Sequence, residues 1–146
     1  MSADHDAVTV LSEDECWSLL SSMSLGRLVT ILDGKLEIFP VNFATRRRTV
    51  IFRTAQGTKL SSAVMGDWVA FEADYHDPPL TYGWSVIIKG RAHVLSANAD
   101  ILDAQEAPLR PWIATLKPLY VRVIASEITG RRFKFGPEPD HETIIG

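Results

Sequence analysis

A small, mainly β fold, a closed or nearly closed six-stranded antiparallel barrel with short helices, is predicted by three features of this chain. Six β-rich runs of residues are separated by compact turn signals, among them Asp33-Gly34 and Arg46-Arg47-Arg48. Helical spacing occurs only in short pieces. The chain also has no Gly-x-Gly-x-x-Gly fingerprint and no alternating β-α-β rhythm, which argues against a dinucleotide-binding Rossmann domain.

Element by element, Ser12-Glu13-Asp14-Glu15 reads as a capping box, and Cys16, Leu19, Leu20 and Met23 follow at helical spacing. Gly26 ends this helix, and a strand runs from Arg27 to Leu32. After the Asp33-Gly34 turn the return strand is Leu36 to Phe43, where Pro40 fits an edge position or a bulge. The third strand is Thr49 to Thr54, followed by a short helix from Thr58 to Met65 that closes near Gly66. Trp68 to Asp74 alternates as a fourth strand, and Trp84 to Leu95 is a fifth in which Gly90 allows a bend or bulge. Asn98 to Glu106 forms a small helix before the loop at Pro108 and Pro111, and Leu119 to Ser126 is the last strand. Residues 1–10 and 137–146 are expected to be flexible tails on a single domain spanning 1–146.

A chain of 146 residues with 46% hydrophobic and 23% charged residues is long and apolar enough for one packed core. The net charge of −3 gives no electrostatic reason to expect nucleic acid. One cysteine, Cys16, excludes an internal disulfide and a multi-cysteine zinc site, and its apolar helical setting marks it as a core residue. Nothing approaches the roughly 20 apolar residues of a membrane helix, and the N-terminus is acidic rather than signal-like, so a cytoplasmic protein with no membrane partner is expected.

The segment Val50 to Leu60 carries the most chemistry. A β-rich run leads through a Gly57 loop into a helix, bringing Arg53, Thr54, Thr58 and Lys59 close in sequence to free backbone N–H groups. Arg53 can fork two phosphate oxygens and Lys59 can act as a point charge. The second glycine and the Gly-Lys-Ser/Thr ending of a P-loop are missing. Loop chemistry alone gives equal weight to a solvated surface loop.

The order of landmarks then resembles the pyridoxamine-phosphate-oxidase-like flavoproteins, and within them the nitroimidazole-reductase-type branch. The resemblance rests on Glu15 to Leu20, Gly26-Arg27-Leu28, Phe39-Pro40-Val41-Asn42-Phe43, Phe52-Arg53-Thr54 with Gly57-Thr58-Lys59, Phe71 to Asp74, Gly83-Trp84-Ser85-Val86 and Ile128 to Phe133. It implies a split β-barrel that binds FMN in a groove shared by two copies of a homodimer. It further implies that Arg53, Thr54, Thr58 and Lys59 meet the phosphate and that Pro40, Val41 and Asn42 run beside the ring. Trp84 and Ser85 would complete the pocket from the partner, and Arg131 or Arg132 would neutralise an anion. The implied activity is an FMN-dependent oxidoreductase passing hydride or electrons to a small planar substrate. The extra arginine and histidine groups that grip substrate phosphate near the end of true pyridoxamine-phosphate oxidases are missing, so that reaction is not expected.

Three alternatives stay open. A deazaflavin coenzyme with a long acidic tail would draw on Arg46, Arg47 and Arg48, which otherwise form a solvated hairpin tip. A storage or sensor protein would bind flavin, or less readily haem, without turnover. Trp84 serves equally as a core aromatic. His5, His76, His93 and His141 lack ligand spacing, so no metal is expected, and no acid–base couple stands out. This suits chemistry carried by a cofactor.

Overall fold

The computed structural model describes residues 7–65, 68–110 and 116–138. Expectations that touch His5, Gly66, Pro111, His141 and the outer parts of both tails lie outside these residues. Seven strands, β1 (Val8–Val10), β2 (Leu25–Leu32), β3 (Lys35–Arg46), β4 (Thr49–Thr54), β5 (Trp68–His76), β6 (Tyr82–Val94) and β7 (Leu119–Lys134), alternate with helices α1 (Glu13–Leu20), α2 (Lys59–Ala63) and α3 (Asn98–Gln105). The sheet order is β1-β7-β4-β3-β2-β5-β6, and β6 pairs again with β7. Six of the strands therefore close into an antiparallel barrel, as the sequence predicts, with β1 added outside the ring.

Local chemistry sets the hairpins. Asp33 (φ 52°) and Gly34 (φ 76°) form the two-residue turn between β2 and β3, where Leu32 faces Lys35. Arg47 (φ 50°) and Arg48 (φ 56°) occupy the same left-handed region between β3 and β4. Neither is favoured there. The turn is braced by the Thr49 hydroxyl, which donates to the Arg46 carbonyl at 2.7 Å, and by ion pairs of Arg47 with Asp103 and of Arg48 with Asp14.

The long strand β7 organises the barrel. One of its edges pairs with β6 throughout, while the other pairs with β4 over Leu119 to Ile124 and with β1 over Arg131 to Phe133. The register shifts between Lys89↔Glu127 and Gly90↔Ala125, leaving Ser126 as the extra residue of a bulge. Odd positions such as Val121 and Val123 are buried before the bulge, and Gly130 is buried after it. That change of phase is why the sequence reading stops the strand at Ser126, eight residues short. The N-terminal reading also needs correction: Val8 to Val10 is an edge strand, and all three of its side chains are exposed, so no alternation marked it.

The core is built on Leu28, Phe43, Phe52, Phe71, Val86, Ile88, Val121 and Val123, with Phe43 and Phe71 edge to face at 4.8 Å. Helix α1 closes one side with Cys16, Trp17 and Leu20, held by the expected capping box: Ser12 N–H donates to Glu15 Oε1 at 2.9 Å and Glu15 N–H to Ser12 Oγ at 3.2 Å. Helix α3 covers a smaller cluster of Ala44, Ile51, Ala104 and Ala107 on the outside of β3 and β4.

A Cβ at position 90 would lie 1.9 Å from the Ile124 carbonyl oxygen, a backbone atom that cannot step aside. Gly90→Ala is expected to cost about 3 kcal/mol, read as a lowered urea midpoint with an unchanged slope. A loss under about 0.5 kcal/mol would mean that the bulge relaxes freely.

Candidate functional site

The site begins where β3 and β4 part. They pair from Arg46↔Thr49 to Phe43↔Phe52, while β4 stays on β7 as far as Thr54↔Leu119. Residues N-terminal to Phe43 on β3 consequently have a partner on one edge only. Phe43 N–H donates to the Ser24 carbonyl at 3.0 Å, so the alternation of an antiparallel ladder turns Phe43 and Val41 toward β2 and leaves Pro40 and Asn42 facing the open edge. Pro40, which has no N–H, costs the ladder nothing there. Of the two residues expected to offer backbone groups, Asn42 has its backbone on the side away from β2, whereas Val41 has its backbone toward β2 and its side chain in the core. The Asn42 side chain donates to the Ser24 carbonyl at 3.3 Å.

Across the opening lies the end of β4. Arg53 points outward, stacks its guanidinium 5.1 Å from the Tyr120 ring centroid and donates through Nε to the Lys117 carbonyl at 2.8 Å. Its two terminal nitrogens have no hydrogen-bond partner among the described residues, so a positioned fork remains available. Thr54 is buried, with its hydroxyl 3.2 Å from that of Thr58. Thr58 is the N-cap of α2: its hydroxyl accepts from Ser61 N–H at 3.1 Å and donates to the Ala55 carbonyl at 2.9 Å. The helix has only five residues and one of its first donors is already capped, so its dipole adds little. The positive charge comes from Arg53 and Lys59. Lys59 is paired with Glu37, Nζ to Oε1 at 2.6 Å, a partner that the sequence reading missed because the two residues lie on separate elements.

The remaining candidates sit elsewhere. Ser85 and Arg131 face each other on the outside of β6 and β7, where they line a shallow depression of about 370 Å³ with Ile87, Thr129, Gly130 and Phe133. From β3 through β2 and β5 to β6 is three strand spacings, roughly 14 Å at about 4.8 Å each, so Ser85 does not reach the open edge within one chain. Trp84 is buried among the core residues, which settles its side chain as a core aromatic.

Between these two regions runs a polar strip that the sequence reading did not find. Arg27 Nη1 contacts Glu72 Oε1 at 2.9 Å and Asp74 Oδ2 at 3.2 Å on the outer face of β2 and β5. Burial, a hydrogen bond with Asp74 and the Asp74 charge outweigh the attraction of Arg27, and the Glu72 carboxyl is pushed up to about 7. Alternation along Phe71 to Asp74 would have placed both carboxyls on one face; nothing in the sequence placed Arg27 beside them.

The arginine hairpin is internally matched. Arg46 and Arg47 reach Asp103 Oδ1 at 3.0 and 3.1 Å, Arg122 reaches its Oδ2 at 3.1 Å, and Arg48 pairs with Asp14 and Glu13. Arg46 and then Arg47 hold the Asp103 carboxyl below the usual carboxylate range. These pairs fasten α3 and α1 to the barrel and take up the charge that an acidic coenzyme tail would need. His76 is exposed, with Nδ1 3.0 Å from the Asp77 carbonyl. Among the described residues no three of His, Cys, Asp and Glu group to hold a metal ion, and no helix is long and apolar enough to cross a membrane.

A barrel opened along one β3 edge, with a guanidinium fork beside it, defines the split-barrel class. A family model described as pyridoxamine 5'-phosphate oxidase matches residues 12–132, and the chain belongs to that family. An uncharacterised protein of Mycobacterium tuberculosis is 60% identical over 93 residues, covering 64% of this chain and 83% of its own. The structure of an FAD-binding protein from Mycobacterium smegmatis is 54% identical, with a TM-score of 0.79, and covers 88% of this chain and 100% of that one. A conserved protein of unknown function from Corynebacterium diphtheriae is 41% identical, with a TM-score of 0.74, over 88% of this chain and 99% of that one.

The raised Glu72 carboxyl predicts a pH effect. An acid whose folded pKa exceeds its unfolded value binds its proton more tightly when folded, so its contribution is full below about pH 4.5 and is lost as pH rises through about 7. Relative to Glu72→Gln, the wild type should lose about 1–2 kcal/mol between pH 4.5 and 8, a value discounted for the partial exposure of the group. Thermal midpoints of both proteins across that range check it. Parallel curves would show that Glu72 titrates normally.

Proposed function

We propose that this protein is a flavin nucleotide-binding oxidoreductase that works as a homodimer, each site being shared by two copies. The observation that carries the reading is the open β3 edge at Pro40 and Asn42 beside Arg53, whose terminal nitrogens have no hydrogen-bond partner among the described residues. The donor set fits such a ligand: a forked cation and an ammonium suit the ribityl phosphate, and the β3 edge turned away from β2 suits the polar rim of the ring. The sequence points to FMN. The FAD-binding protein at 54% identity favours FAD, which carries the same phosphate next to the ribityl chain. The family membership supports a flavin in either form.

The placement of Ser85 and Arg131 supports the reading of a second copy. Ser85 lies three strand spacings from the open edge, roughly 14 Å at about 4.8 Å each, and Arg131 faces it on β7, so a two-fold related copy is the better source of this pair. An apolar surface is available to bring two copies together: Ile31, Leu36, Ile38 and Trp68 on the outer face of β2, β3 and β5 are 55–75% exposed.

The bound flavin would supply the hydride or electron transfer. The chain's part is to hold and screen. Arg53 and Lys59 fix the phosphate end, Asn42 and Pro40 set the ring edge, and Ser85 with Arg131 from the second copy close the pocket and face the substrate with one positive charge. With no acid–base couple at the open edge among the described residues, the substrate best suited is a small planar acceptor of quinone or nitro type.

Lys59→Ala should weaken FMN binding roughly 10-fold, the low end for a charge-assisted bond because Glu37 already engages the ammonium, while Arg47→Ala should change it little. Flavin fluorescence titration measures both, and equal affinities in wild type and Lys59→Ala would return the segment to a solvated loop. Light scattering should give twice 16.2 kDa for the wild type, and Ile38→Glu should lower both the mass and the flavin content. A flavin-loaded species at 16.2 kDa would rule out the shared site. With flavin bound, His76→Ala should transfer electrons to such acceptors within a few-fold of wild type, since a general acid or base would be worth about 100-fold or more.

A further inference from the structure

Lys59 is engaged before any ligand arrives. Its partner Glu37 is the less exposed member of the pair, at 25% against 59%, and so the better fixed. Glu37 stands directly across from Thr30 of β2, and both lie on the inner face of the barrel. Thr30 is 2% exposed and its hydroxyl has no hydrogen-bond partner among the described residues. Cross-strand side chains on one face stand about 5 Å apart at Cβ, so a carboxylate at position 37 that let go of Lys59 would be within reach of that hydroxyl. A buried hydroxyl without a partner is costly, and the carboxylate of its cross-strand neighbour is an acceptor that can relieve it.

We propose that Glu37 is the resident counter-ion of Lys59 and thereby sets both the affinity for the cofactor and the preference for its phosphorylated form. Phosphate takes Lys59 from Glu37, and the released carboxylate accepts a hydrogen bond from the Thr30 hydroxyl. The site thus exchanges one ion pair for another, with part of the loss made good inside the barrel. A ligand with the same ring but no phosphate leaves the Glu37–Lys59 pair intact and is indifferent to position 37. This inference rests on the phosphate assignment of Lys59 above.

The test is titration of the full-length, flavin-stripped protein with FMN and, separately, with riboflavin, using wild type, Glu37→Gln, Lys59→Ala, Thr30→Val and the Glu37→Gln/Lys59→Ala double variant. Circular dichroism melting confirms that each is folded, and Glu37→Ala stands in if the amide is not tolerated. Glu37→Gln should bind FMN roughly 3- to 5-fold more tightly, the range of a partly exposed ion pair, with riboflavin unchanged. The gain should vanish in the double variant, and Thr30→Val should weaken FMN about 2-fold only when Glu37 is present. Glu37→Gln binding FMN no more tightly than wild type, or gaining equally for riboflavin, overturns the counter-ion role. Thr30→Val behaving as wild type overturns the exchange. If Lys59→Ala loses no FMN affinity relative to riboflavin, the phosphate assignment itself fails. If it does lose affinity while Glu37→Gln is unchanged, only the role of Glu37 fails.

Discussion

The candidate site depends on one constraint, the point at which β4 leaves β3 while staying on β7. Six ladders close the barrel, and any of them could run to its end. The β3–β4 ladder stops at Phe43↔Phe52, so beyond it β3 has β2 as its only strand neighbour among the described residues. Pro40 lies within that stretch, on the register that faces away from β2. Further pairing there would have met a position with no donor. A proline that would break a central ladder instead marks where this one ends.

The outer face shows a second level of organisation. Apolar side chains at Ile31, Ile38 and Trp68 lie beyond one end of a charged strip of Arg27, Glu72 and Asp74. In a lone chain such a surface is a liability. In the proposed dimer it would become an interface whose charged strip is internally neutralised, since Arg27 bridges both carboxyls and Glu72 is pushed up to about 7. The ion pairs around Asp103 do comparable work on the other side, where they anchor α3 over Ala44 and Ile51 rather than presenting charge to a ligand.

Much of this was legible in the residues. β-rich runs between turn signals located every barrel strand at least in part, Asp33-Gly34 fixed the first hairpin and the capping box at Ser12 fixed α1, because each is a local rule. The opened edge was legible through Pro40, and the phosphate-like segment through Arg53 and Lys59. What stayed hidden was non-local. The phase change at Ser126 concealed the second half of β7, and three exposed residues gave no sign of β1. The pairing of Lys59 with Glu37, the carboxyl pair bridged by Arg27 and the burial of Trp84 all depend on which strands become neighbours, which no spacing within one element reveals.

The central claim is that each site is built from two chains, with Arg53 from one and the Ser85–Arg131 face from the other. Subunit mixing tests it most directly. Arg53→Ala and Ser85→Trp are each expected to bind flavin poorly as pure dimers. On unfolding and refolding together, a mixed dimer regains one site with both halves intact. Tight flavin binding should recover in the mixture, approaching one site per mixed dimer. A mixture that binds no better than its separate components would contradict the account.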